Sequence, residues 1–216
     1  MIIPFRRKRF TLSPTCLLDF KKVVFPILLL LIVASFIFLD KPLALFFNSI
    51  SPVLHAPFIL IERLFCPFFW ALITPALFFF VRFIKKKEKK SRKFWYLSLA
   101  FPLLILSCKV LEVFLGKANP EWFFTHQEIP FRFFEWNPSF HSFPSMESTC
   151  IATFAIALSC ILSSQARPYL LVAGFLLSLS PVISTHAFLS DALGGFALAG
   201  FMTQWIFQVL RRDISF

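Results

Sequence analysis

Long apolar runs constrain this chain more than any other feature of its sequence. Of the 216 residues, 58% are hydrophobic and 33 are Phe. Several runs approach the roughly 20 residues that a helix needs to cross about 30 Å of hydrocarbon. They predict an all-α, polytopic membrane protein with one domain of six transmembrane helices. The predicted spans are residues 23–39, 65–84, 94–115, 147–163, 169–186 and 188–210.

The net charge of +11 is distributed unevenly along the chain. Most basic residues fall in the N-terminal segment 1–22, the loop 85–93, the connection 164–168 and the tail 211–216. With six spans, these four segments lie on one side of the membrane, as expected for cytoplasmic segments. We therefore predict cytoplasmic termini around a membrane domain at 23–210, in a bacterial inner membrane. The same asymmetry argues against nucleic-acid binding.

The cysteines indicate neither a metal site nor a disulfide framework. Cys16, Cys66, Cys108, Cys150 and Cys160 are odd in number and lie in or beside the predicted spans. Their spacing matches no metal-binding or disulfide pattern. We expect no metal and no cofactor.

Polar residues that are unusual in such a chain gather at one predicted level, the outer face. They come from the end of the third span, the start of the fourth and the junction of the fifth and sixth. Ionisable residues at membrane depth are costly and usually face a cavity or a partner. These residues are Lys109, Glu112, Lys117, Asn119, Ser145, Glu147, His186 and Asp191.

Three short segments carry a family resemblance. Pro144-Ser145-Met146-Glu147 and Ser180-Pro181…His186…Asp191 resemble the last two signature motifs of the type-2 phosphatidic acid phosphatase and haloperoxidase superfamily. Those motifs read Pro-Ser-Gly-His and Ser-Arg-x5-His-x3-Asp. Gly116-Lys117-Ala118-Asn119-Pro120 corresponds to the end of the first motif, Lys-x6-Arg-Pro. The resemblance covers about residues 109–200 and implies the helical membrane fold of lipid phosphatases.

The resemblance also implies a mechanism. In the family, a Lys and two Arg residues hold the phosphoryl group, and the His of the third motif attacks phosphorus. The Asp of that motif orients this His, and the His of the second motif protonates the leaving group. This is nucleophilic catalysis with charge stabilisation and a general acid, and it requires no metal.

Several of the chemical groups are replaced in this sequence. Asn119 stands for an Arg, and Glu112 stands at the Lys position. Met146 and Glu147 replace the Gly and His of the second motif. In the third motif Pro181 replaces the Arg and Ala187 the His, while Asp191 is retained. His186 precedes the position of the nucleophile by one residue.

The binding candidates are Lys109, Lys117, Asn119 and Ser145. Lys109 either binds phosphate or pairs with Glu112 three residues later. Lys117 is a candidate cation or a lysine that snorkels to the interface. Ser145 and the nearby amides could bind an anion at a helix N-terminus.

The catalytic candidates are His186, Asp191 and Glu147. His186 either acts with Asp191 as its orienting partner or has a structural role. Glu147 either serves as a general acid or complements the helix dipole in the first turn. His141, just before the second motif, either reaches the pocket predicted at the outer face or is a solvated loop histidine.

Two functions follow from the replaced groups. The first is a catalytically impaired family member that keeps a cavity for a lipid or prenyl phosphate on the outer face. The alternative is an active phosphatase for phosphatidate, phosphatidylglycerol phosphate or prenyl diphosphate, with His186 as a displaced nucleophile. Membrane lipids are the expected partners in both. A transporter has less support, because the spans show no inverted repeat.

Overall fold

The computed structural model describes residues 25–84, 88–161 and 165–213. The predicted N-terminal segment 1–22 and the end of the tail lie outside them. The described residues form helices joined by turns and one long connection, with a single isolated β-bridge between Lys117 and Phe131. The α-helices are α1 (Phe25–Phe38), α2 (Asp40–Asn48), α3 (Pro52–Leu64), α4 (Pro67–Phe79), α5 (Glu88–Leu115), α6 (Pro120–His126), α7 (Met146–Ile161), α8 (Arg167–Ser178), α9 (Ser180–Ile183) and α10 (Leu189–Asp213). A π-helical turn, Phe80–Ile84, follows α4, and a 3-10 turn, Pro138–Phe140, lies in the long connection.

The predicted all-α fold is confirmed for the described residues, and its spans are partly supported. Pro52–Ile84 and Trp95–Leu115 are long and apolar enough to cross a membrane. Helices α1 and α2 form a third candidate if taken as one span, with a bend of 63° between them. Met146–Ser159 and Arg167–Ile183 are apolar but shorter. Six crossings and cytoplasmic termini therefore stay predictions.

Helix α7 packs against α5, α8 and α10. Helix α10 also packs against α1 and α5, and α4 packs against α5. The shared core contains Ala152, Ala157 and Ala199, all fully buried, beside Phe101. Small residues at helix contacts let the backbones approach closely in membrane bundles. The alanines thus explain how α10 can pack so closely against α7.

Helix α5 has two clearly different faces. Leu97, Phe101, Leu104, Cys108 and Glu112 are buried and recur every three or four residues, the spacing of one helix face. The opposite face is exposed and apolar, with Leu103, Leu106, Val110 and Phe114. A face of this kind suits contact with hydrocarbon.

The connection 116–145 folds back on the end of α5. Gly116 has a φ of +55°, and its carbonyl accepts a hydrogen bond from the amide of Arg132 at 2.8 Å. The Ala118 amide donates to the Pro130 carbonyl at 3.1 Å, and the Ser142 amide donates to the Lys117 carbonyl at 3.2 Å. These hydrogen bonds hold the backbone around Lys117 so that its side chain is directed into the protein interior.

Replacing Gly116 with Ala should destabilise the fold by more than about 2 kcal/mol, because a side chain is strained at positive φ. A Cβ atom there would also lie 1.7 Å from the Arg132 carbonyl oxygen. Denaturant unfolding of the purified protein measures this loss. The exposed Glu128→Ala in the same connection is the control, with an expected change within about 0.5 kcal/mol. Equal stability of the two variants would contradict the described turn.

Candidate functional site

A buried cluster around Lys117 joins three separate elements of the chain. The Lys117 Nζ donates to Asp40 Oδ2 of α2 at 2.8 Å and to Asp191 Oδ1 of α10 at 2.7 Å. Its third hydrogen bond, of 2.7 Å, goes to the Ser190 Oγ. The rings of Phe36 and Phe188 lie 5.0 and 4.6 Å from the same nitrogen. An ammonium has three N–H donors, and all three are used here.

The two carboxylates of this cluster are also held by other donors. Asp191 Oδ2 accepts from the Ser142 Oγ at 2.5 Å and from the Phe188 amide at 3.1 Å. Asp40 Oδ1 accepts from the Ser190 amide at 2.9 Å, and Oδ2 accepts from the Ser190 Oγ at 2.5 Å. The side chains of Lys117, Asp40 and Asp191 are at most 1% exposed. The cluster is therefore closed to solvent.

The position of Lys117 differs from both sequence-based interpretations. A snorkelling lysine would place its ammonium in water, and a phosphate-binding lysine would keep a donor for the ligand. The structure instead buries the ammonium between two carboxylates. A buried charge requires such partners, since it would otherwise be very costly.

His186 pairs with Glu62, and the predicted pairing of His186 with Asp191 is wrong. The His186 Nδ1 lies 2.6 Å from the Glu62 Oε2. The Ser184 hydroxyl donates to the other oxygen of Glu62. Asp191 does not pair with His186, because the Asp191 oxygens already accept hydrogen bonds from Lys117 and Ser142. The His186 side chain is 50% exposed, whereas that of Glu62 is 8% exposed.

The charges around His186 are acidic. The hydrogen bond to the Glu62 carboxylate raises the pKa of His186 above its ordinary value of 6.5, against the opposing effect of partial burial. The Coulombic fields of Glu62, Glu147 and Glu121 raise it further. His186 lies in the loop between α9 and α10, after Ile183. This environment stabilises the charged imidazolium relative to the neutral ring.

Lys109 forms the predicted ion pair with Glu112. Its Nζ lies 2.6 Å from the Glu112 Oε2, while the Lys109 side chain stays 44% exposed. The other Glu112 oxygen lies 3.6 Å from the Cys108 Sγ, which also donates to the Pro144 carbonyl at 3.2 Å. These contacts place Lys109 close to the segment that leads into α7.

Ser145 and Glu147 lie at the start of α7. The Ser148 amide donates to the Ser145 Oγ at 3.3 Å, and the Ser145 hydroxyl donates to Glu147 Oε2 at the same distance. The Ser145 amide donates to the Asp191 carbonyl at 3.1 Å, which joins α7 to α10. A Cβ on Gly195 would lie 2.7 Å from the Ser145 carbonyl oxygen, so this junction is tight. Glu147 occupies the first turn, where a negative charge complements the helix dipole.

Asn119 and His141 have local structural partners. The Asn119 side chain accepts from the Trp122 amide at 2.9 Å and caps α6. An amide oxygen at this position satisfies a donor that the helix leaves unpaired. The half-buried His141 places its Nε2 3.0 Å from the Glu135 carbonyl oxygen.

Asp40, Glu62, Ser142, Ser184 and Ser190 are site residues that the sequence interpretation missed. Asp40 and Glu62 were detectable in part, because both are acidic residues within strongly apolar sequence, where such groups usually have a partner. The serines carry no comparable signal. Among the residues that the structure describes, no three His, Cys, Asp or Glu side chains group as a metal site.

The His186–Glu62 pair predicts a pH-dependent stability. A raised pKa means that the stabilisation is complete below pH 6.5 and is lost as the pH rises through the higher pKa of the folded state. Glu62→Gln should therefore lower the melting temperature more at pH 6 than at pH 9.

Thermal unfolding in detergent across this range tests the effect. Glu128→Ala is the matched control and should lower stability by the same small amount at both pH values. A Glu62→Gln effect that is independent of pH would contradict the charged pair.

Comparison with known proteins agrees with the motifs. The family model of the PAP2 superfamily matches residues 93–215, more than half of the chain. Searches of curated proteins and of solved structures gave no match. The matched region contains Lys117, His186 and Asp191, whereas Asp40 and Glu62 precede it. The chain belongs to the PAP2 superfamily.

Proposed function

We propose that this chain is a catalytically impaired PAP2 protein of the membrane, which binds a phosphorylated lipid without hydrolysing it. The closed cluster of Lys117, Asp40 and Asp191 carries this proposal. Asp191 stands where the family holds the carboxylate that orients its nucleophile. Here that carboxylate neutralises a buried lysine.

The nucleophile and the phosphate-binding cations are also replaced. Ala187, at the position of the family's attacking His, has no nucleophilic group, and Pro181 has no donor. Asn119 caps α6. Loss of one positioned donor can reduce a rate on the order of 10²-fold or more, and several are missing here. The carboxylates of Glu62 and Glu147 disfavour a phosphate dianion beside His186.

Lys109 is the predicted binding residue whose ammonium stays accessible. Its ammonium donates a hydrogen bond to Glu112, and its side chain is 44% exposed. Its link through Glu112 and Cys108 to Pro144 places it near Ser145. A lipid phosphate could accept a charge-assisted hydrogen bond from it. The exposed apolar face of α5 would meet the acyl chains.

The membrane arrangement is part of the proposal. Six spans with both termini in the cytoplasm would place Lys109, Ser145 and His186 at the outer face of a bacterial inner membrane. The excess of Lys and Arg in segments 1–22, 85–93 and 211–216 supports this orientation.

An active phosphatase is the second candidate, and the His186–Glu62 pair favours it. A carboxylate at Nδ1 orients the ring and directs Nε2 away from Glu62. In this mechanism the lone pair of Nε2 on the neutral imidazole attacks phosphorus. The P–O bond to the lipid alcohol, or to the prenyl phosphate, breaks, and the leaving oxygen takes a proton from water. A second water then hydrolyses the P–N bond, which releases inorganic phosphate and restores the imidazole. The acidic surroundings of His186 argue against binding the substrate dianion there.

Phosphate release distinguishes these two functions. The purified full-length protein, in detergent, is expected to release no phosphate above background from phosphatidic acid, phosphatidylglycerol phosphate or prenyl diphosphate. The same samples should retain phosphatidic acid in preference to phosphatidylcholine by native mass spectrometry. Lys109→Ala should weaken this retention about tenfold, the effect of losing one charge-assisted hydrogen bond.

Two controls complete the experiment. Lys41→Ala removes another exposed lysine and should leave retention unchanged. His186→Ala should leave phosphate at background. Release by the wild-type protein that His186→Ala abolishes would contradict the proposal and establish the second candidate. Equal retention of both lipids would contradict lipid-phosphate binding.

A further inference from the structure

The segment 131–136, here called the aromatic loop, presents four exposed aromatic rings at the end of α5. Phe131 is 42% exposed, and Phe133, Phe134 and Trp136 are 64, 67 and 79% exposed. Exposed apolar patches of this size are unusual on a surface that faces water, and they mark contact with a partner or a membrane.

The backbone of the aromatic loop is fixed by hydrogen bonds. Phe131 bridges to Lys117, and the Phe134 amide lies 3.4 Å from the Phe114 carbonyl. Glu135 Oε1 accepts from the amides of Trp136 and Asn137 at 3.0 and 3.1 Å. The outward direction of the rings is therefore set by the fold of the loop.

The charged groups of the aromatic loop contact other parts of the protein. The Arg132 guanidinium lies 4.5 Å from the ring centre of Phe140, which is fully buried, and 5.6 Å from that of Trp122. The Glu135 carboxylate accepts from the amides of Trp136 in the loop and of Asn137 just after it. Both charged groups thus have partners in the protein, although Arg132 itself stays exposed, while the rings of Phe133, Phe134 and Trp136 are more than half exposed.

The rings continue the exposed apolar face of α5. The Phe114 ring centre lies 5.1 Å from that of Phe134 and 6.4 Å from that of Phe133. Phe114 is the last residue of the row Leu103, Leu106, Val110 and Phe114, on a helix apolar enough to cross a membrane. A lipid-facing row therefore extends beyond the helix end onto the loop.

We propose that the aromatic loop inserts into the lipid–water boundary at this end of the bundle. Its partner is the bilayer, with the rings at the level where headgroups meet acyl chains. Aromatic side chains are favoured at this level, and Trp carries both an apolar ring and a polar N–H. Because Phe131 bridges to Lys117, the insertion also fixes the depth of the candidate site relative to the headgroups.

Trp136 provides a direct test in the full-length protein. The wild type and Trp136→Phe are reconstituted in phosphatidylcholine vesicles, and the difference of their fluorescence isolates the Trp136 signal. Bromine placed on acyl carbons near the headgroup should quench this signal more than bromine near the chain ends. Aqueous iodide should quench it only weakly.

Trp122→Phe supplies the matched control from the same connection. Trp122 is half-buried and stacks on His126 with ring centres 3.9 Å apart, so brominated lipid should quench its signal less. Strong quenching of Trp136 by iodide, without quenching by brominated lipid, would overturn the proposal in favour of a loop in water. Quenching by neither would overturn it in favour of cover by protein, such as a second copy.

Discussion

The hydrogen bonds of the buried Lys117 ammonium are the interaction on which this end of the helix bundle depends. They join Asp40 after the bend between α1 and α2, the long connection that carries Lys117, and Asp191 at the start of α10. These three elements are far apart in sequence. Apolar contacts are not directional, so they would orient the elements less specifically than these charged hydrogen bonds do. Two carboxylates and one lysine in a water-excluded site strongly favour a single arrangement, because separating any partner leaves an uncompensated charge.

The same cluster accounts for the changed chemistry of the family motifs. A superfamily phosphatase uses its Asp to orient a histidine, but Asp191 orients Lys117 and holds Ser142. Because the Asp191 oxygens are bound by Lys117 and Ser142, the displaced histidine pairs with a different carboxylate. His186 finds Glu62, which lies on α3 and outside the family match. The retained motif residue Asp191 thus pairs with a buried lysine, and the displaced histidine pairs with a different acid.

The sequence predicted the features that depend on local pattern. Apolar runs predicted the helices, and the three-residue spacing of Lys109 and Glu112 predicted their ion pair, which is confirmed. The sequence-based prediction failed where hydrogen-bond and ion-pair partners come from elements that are distant in the chain. The His186–Asp191 pairing rested on motif spacing alone, whereas the bond between His186 and Glu62 spans 124 positions. The two interpretations of Lys117, as a phosphate-binding cation or a snorkelling lysine, failed for the same reason. Its burial depends on how the connection 116–145 folds back on the end of α5.

A double-mutant cycle between Lys117 and Asp191 tests the central claim most directly. The free energy of unfolding is measured in a denaturing detergent for the wild type, Lys117→Met, Asp191→Asn and the double variant. Lys117→Met alone should cost about 3–5 kcal/mol, because it leaves buried carboxylates unpaired. Adding Asp191→Asn should recover more than about 1 kcal/mol of that loss, since one of these charges is then removed. Losses that simply add would contradict a structural lysine paired with Asp191.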